Sequence, residues 1–261
     1  MFIVVFWIAL AGILGAIGIV VVSIIRTLRA PRWGQVFTDN LQRKEIAITA
    51  GGTTYRAFLY TSTDFDDGPE MPGVILLPDR GVKYPAFEHW GACYGLQGLP
   101  TLAVELVAKG ITDQQLVDKI VNAFPAFKKA LVENAKVDGS RIGIVGFGIP
   151  ALAGVYAGAN DGDVKAICCG GIPRLDMERA SGAKGKIFLA HCKDDEVAPF
   201  ADFKNNKDAL GIDEKGYLLL DMGGHVFLSQ EMIVAAFFSI AMNKAIKPRY
   251  KQFTPTGVVM P

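Results

Sequence analysis

Phe2 through Ile25 form a run of 24 residues with no ionisable side chain and only Ser23 polar, too apolar for a surface that faces water. At ~1.5 Å per residue the run makes a helix of roughly 36 Å, enough to cross a hydrocarbon core of about 30 Å with some tilt. The sequence therefore predicts one transmembrane helix over residues 1–26, contacting the lipid bilayer through residues 2–25. A cleaved secretory signal needs basic residues ahead of a shorter apolar stretch, and none precedes Phe2. Arg26, Arg29 and Arg32 follow the run, so the positive-inside bias predicts a single-pass membrane protein with its N-terminus outside and the remainder cytoplasmic. Ala11, Gly15 and Gly18 share one helical face, and Gly12 and Ala16 form a second small-residue pair. Such stripes admit a second transmembrane helix from a partner protein, although small residues are also common in spans generally.

Residues 27–43 read as an amphipathic linker with Trp33 as an interfacial anchor, residues 44–247 as one domain and residues 248–261 as a tail. The 27 Lys and Arg against 26 Asp and Glu leave a formal charge of +1, which excludes the basic footprint of a nucleic-acid partner. Cys93, Cys168, Cys169 and Cys192 have no zinc-site or disulfide spacing and read as buried, reduced thiols.

Two alternating segments, Glu45–Thr49 and Tyr55–Tyr60, flank Gly51-Gly52 and predict a β-hairpin. Short, continuously apolar runs follow at 74–77, 101–104, 142–145, 164–168, 187–190 and 217–220. Helical stretches separate most of them, the pattern of an α/β fold whose mostly parallel sheet is buried on both faces. Thr112 and Gln115 have capping-box spacing ahead of a periodic face, which Pro125 is expected to kink or restart. An apolar helix from about Ser229 to Ala245 reads as a buried core helix.

The stretch 137–151 carries a strand straight into a small-residue turn and a helix, with the lead-in Val137-Asp138-Gly139-Ser140-Arg141-Ile142-Gly143. It resembles the strand, nucleophile elbow and helix of the α/β-hydrolase fold, with a lead-in typical of its dienelactone-hydrolase-like and prolyl-oligopeptidase-like branches, the former being the closer resemblance; in that family the elbow reads Gly-x-Ser-x-Gly or Gly-x-Cys-x-Gly. The resemblance puts Gly146 at the first glycine, Gly148 at the nucleophile and Pro150 at the second glycine, so the nucleophile is replaced by glycine. It further implies the acid at Asp195, with Asp194 as the alternative, and the histidine at His225, in the order elbow, acid, histidine. After the first central strand, the oxyanion segment is Leu77-Pro78-Asp79-Arg80-Gly81. Pro78 has no N–H and Asp79 brings negative charge; the Ile149 amide remains as a donor, and Arg80 is either an anion clamp or salt-bridged.

The sequence has no phosphate loop or dinucleotide fingerprint, and His89, His191 and His225 form no metal-ligand cluster, so no cofactor or metal is expected. These features imply a membrane-anchored, catalytically inactive α/β-hydrolase-like accessory or scaffold subunit of a membrane protein complex. The alternatives are a membrane-tethered esterase that uses an unconventional nucleophile or a water activated by His225 and Asp195, and a ligand sensor that retains only the pocket.

Overall fold

Gly51 and Gly52 adopt φ of 56° and 73°, the left-handed pair that a tight hairpin turn demands. The turn joins β1 (Leu41–Ala50) to β2 (Thr53–Ser62) in full antiparallel register, Ala50 opposite Thr53 and Leu41 opposite Ser62. The computed structural model describes residues 40–63, 70–106 and 109–246. The predicted span with its packing positions Ala11, Gly12, Gly15, Ala16 and Gly18, nearly all of the linker and the tail 248–261 lie outside the described residues. None of the described helices is long and apolar enough to cross a membrane.

The remaining strands are β3 (Met71–Leu77), β4 (Thr101–Glu105), β5 (Val137–Phe147), β6 (Val164–Gly170), β7 (Ile187–Cys192) and β8 (Tyr217–Leu220). They form one eight-stranded sheet in the order β1-β2-β4-β3-β5-β6-β7-β8. Pairing is antiparallel from β1 through β2 to β4 and parallel from there on, as the apolar runs predict. The runs are continuous because alternate side chains enter different cores. Ile75 and Leu77 pack on one side of the sheet with α2 (Asp113–Asn134) and α3 (Gly148–Ala159). Val74 and Leu76 pack on the other with α1 (Glu88–Leu96) and α6 (Glu231–Ile246). Two further helices, α4 (Met177–Ala180) and α5 (Phe200–Leu210), complete the first layer.

Two helical expectations need amendment. Helix α2 runs through Pro125 as one element, so the proline neither ends nor restarts it. Helix α6 starts at Glu231, since Ser229 has φ of 62°, and it leaves Met232, Ile233 and Ile240 exposed while Val234, Phe238 and Met242 are buried.

The capping box at the start of α2 is complete: Gln115 N–H donates to Thr112 Oγ1 at 3.2 Å, and Thr112 N–H donates to Gln115 Oε1 at 2.8 Å. Replacing the cap by alanine typically costs about 1 kcal/mol, which for a domain of this size is about 2–4 °C. Thr112→Ala is thus expected to lower the melting temperature of the full chain by that amount, with Thr112→Ser close to the parent.

Candidate functional site

The site lies where β3, β5, β7 and β8 end. Strand β5 turns into α3 at Gly148, whose φ is 57°. The turn is tight enough that a Cβ at Gly146 would lie 2.7 Å from Ala151 Cα, so only glycine lets the helix fold back over the strand. Pro150 sits in the first helical turn, where a missing N–H costs little.

A Cβ on Gly148 would lie 2.2 Å from Asp79 Oδ1 and 3.1 Å from His225 Nε2. The space in which an elbow side chain would start is therefore filled by the carboxylate of Asp79. That carboxylate is held from two directions: the Arg80 N–H donates to Oδ1 at 2.6 Å, and His225 Nε2 lies 3.0 Å from Oδ2. It also stands at the N-terminus of α3, where unpaired amides and the helix dipole favour negative charge. Arg80 turns its guanidinium away, to the Asp113 carboxylate and the Ile111 carbonyl at 2.6 Å. It is salt-bridged and does not face the elbow, and its backbone amide is occupied by Asp79. Ile149 lies in the first turn of α3, where its N–H has no intrahelical acceptor.

His225 follows β8, and its Nδ1 lies 2.9 Å and 3.1 Å from the two carboxylate oxygens of Asp195. Asp195 is buried after β7, and its Oδ1 also accepts from the N–H groups of Val197 at 2.9 Å and Ala198 at 2.8 Å. The neighbouring Asp194 has another task, accepting from the Gly223 and Gly224 amides at 3.1 and 2.9 Å and so holding the histidine loop by its backbone. The geometry thus places Asp195, and not Asp194, on the ring. Gly171 was not singled out by the sequence, yet a Cβ there would lie 2.9 Å from His225 Nδ1 and 3.1 Å from Asp195 Oδ2. No local pattern singles it out; the requirement shows only once the loops after β7 and β8 are brought against it.

Burial works to lower the His225 pKa, but hydrogen bonds and charge from Asp195 and Asp79 override it and raise the value to about 9. At neutral pH the ring is an imidazolium between two carboxylates. For Asp195 burial pushes up, and the His225 bond with the Ala198 and Val197 amides brings the pKa below its ordinary value. His191 is fully buried against Phe203, with ring centroids 5.2 Å apart and both nitrogens without a hydrogen-bond partner among the described residues. Burial lowers its pKa, so it stays a neutral core histidine. Cys192, beside the acid turn, is raised to about 11 by burial and the nearby carboxylates, which leaves it a thiol and not a nucleophile.

Asp79 and His225 face a cavity of about 260 Å³ walled mainly by Leu76, Val82, Phe87, Trp90, Phe147 and Val226. Trp90 and Phe147 are in ring contact at 4.6 Å, and Phe227 packs under Phe147 from the histidine loop. His89 on the cavity wall is lowered by burial to about 4 and stays neutral.

Two outcomes follow from this geometry. The imidazole of His225 is expected to titrate near pH 9 in a nuclear magnetic resonance titration, and Asp79→Asn should move that midpoint down. Because the folded pKa lies above the ordinary 6.5, the pairing stabilises fully below about pH 6.5 and is lost as pH rises through about 9. The fall in melting temperature from pH 7 to 9.5 should accordingly be larger in the parent than in His225→Gln. Separately, Gly148→Ser should lose stability, on the order of 1–3 kcal/mol from φ alone, and resist a covalent serine probe because Asp79 fills its space. Adding Asp79→Ala should restore part of that stability and expose the serine to the probe.

Neither a family model nor a curated protein matches this sequence. Solved structures do match it in three dimensions. A protein from Klebsiella pneumoniae described as a dienelactone hydrolase is 14% identical, over 80% of this chain and 99% of its own, with a TM-score of 0.62. A dienelactone hydrolase-like promiscuous phosphotriesterase from metagenomic libraries is 17% identical, over 78% of this chain and 97% of its own, with a TM-score of 0.58. At such identities the likeness is one of backbone architecture: the chain has the α/β-hydrolase fold, in the form found in dienelactone hydrolase-like proteins.

Proposed function

We propose that this domain is a hydrolase whose reacting group is the carboxylate of Asp79, with His225, oriented by Asp195, handling protons. The observation that carries this reading is the position of Asp79, its carboxylate 3.0 Å from Nε2 and inside the volume that residue 148 leaves empty. A carboxylate needs no base to become a nucleophile, so a glycine elbow does not by itself abolish covalent catalysis. The apolar cavity above the pair supplies the low-dielectric, largely pre-formed space that small-molecule chemistry uses.

A second reading has its own support. Gly148 has no side-chain reagent and His225 already has both nitrogens engaged, so the same constellation also serves as a clamp between loops in a catalytically silent protein. Joined to the apolar run at residues 2–25, it describes a membrane-anchored accessory or scaffold subunit facing the cytoplasm. The tether is equally compatible with a working hydrolase held at a membrane.

Turnover separates the two. The full chain in detergent is expected to convert at least one of 4-nitrophenyl acetate, a small lactone or styrene oxide, with the rate reduced at least 100-fold in Asp79→Asn and in His225→Ala. A chain inert towards all three, or turnover indifferent to Asp79, overturns the hydrolase reading in favour of the accessory one.

A further inference from the structure

On the reading that Asp79 is the nucleophile, we propose that its substrates are small, neutral, apolar epoxides, opened by alkyl transfer to the Asp79 carboxylate. Three observations favour attack at a saturated carbon over attack at a carbonyl. First, the Arg80 amide is bound to Asp79 Oδ1 at 2.6 Å and so is not free for the developing oxyanion of a bound ester. Displacement at a saturated carbon develops no such oxyanion. Second, His225 is an imidazolium, a proton donor rather than a base, and therefore suited to a reaction whose first need is to protonate a departing oxygen. Third, the cavity pairs its apolar walls with the carboxylates of Asp79 and Glu231, and its one cationic group, His225, is already paired with Asp79 and Asp195. That lining disfavours an anionic substrate and accepts a neutral one.

Both steps balance. Oδ2 of Asp79 attacks one ring carbon with a lone pair not used by His225, and the carbon–oxygen bond of the epoxide breaks. The electron pair leaves on oxygen, which takes the Nε2 proton; the products are a β-hydroxyalkyl ester of Asp79 and a neutral imidazole. That imidazole, with Nδ1 held by Asp195, is now a base. It removes a proton from water as the water adds to the ester carbonyl of Asp79. The amide of Arg80 already points at Oδ1, the carbonyl oxygen of that ester, and becomes the donor to the oxyanion. Collapse expels the diol alkoxide, which takes the proton back from His225, and the net change is epoxide plus water to diol. The proton removed from water ends on the diol, and the second water proton returns His225 to the imidazolium as the acid formed at Asp79 ionises.

The test uses styrene oxide with the full chain in detergent and in ¹⁸O-labelled water. Phenylethanediol is the expected product. With enzyme in excess and a single turnover, the diol should contain no ¹⁸O and the peptide containing Asp79 should gain one. Asp79→Asn should lose at least 100-fold in rate, with its melting curve recorded to show that it is folded. Rapid acid quench of the parent should yield the Asp79 peptide heavier by one styrene oxide, a species absent from the variant. Intact styrene oxide alongside Asp79-dependent hydrolysis of 4-nitrophenyl acetate would overturn the epoxide assignment and leave Asp79 as the nucleophile. Label in the diol instead of in Asp79, or no turnover of either substrate, would overturn both.

Discussion

One imidazolium ring ties the C-terminal edge of the sheet together. His225, delivered by the loop after β8, binds Asp195 from the end of β7 through Nδ1 and Asp79 from the end of β3 through Nε2. Three segments far apart in sequence meet in a few ångströms, and two glycines make the meeting possible. A side chain at 148 would displace Asp79, and one at 171 would collide with His225 and Asp195.

The arrangement works against burial and local strain. Desolvation alone would drive the ring neutral, and the two carboxylates reverse it. The histidine loop holds Phe227 and Ser229 at φ of 56° and 62°, conformations that cost of order 1–3 kcal/mol each. Burial of Phe227 against Phe147, and the two amide bonds to Asp194, offset that cost and keep His225 where both acids reach it.

The fold is that of dienelactone hydrolase-like structures, but fold alone assigns no chemistry. Gly148 leaves space at the turn into α3, and the loop after β3 places the Asp79 side chain in it, bound to its own following amide. From the sequence Asp79 looks like damage to an oxyanion hole; in three dimensions its carboxylate fills the space beside Gly148 and meets His225.

Much was legible without coordinates. Two-residue glycine punctuation, strand-length apolar runs and capping-box spacing determined the hairpin, the parallel sheet and the start of α2, because each is governed by local backbone preference or by a side-chain period. The positions of Gly148, Asp195 and His225 at strand ends were legible through resemblance. Tertiary structure alone decided which of two adjacent aspartates meets the ring, that Pro125 is accommodated within one helix, and that Gly171 is a steric requirement. It alone brought the Asp79 carboxylate into the space left by Gly148. Such facts depend on distances between residues tens of positions apart, where a shift of an ångström separates a hydrogen bond from a clash, and no local pattern in a chain encodes that distance.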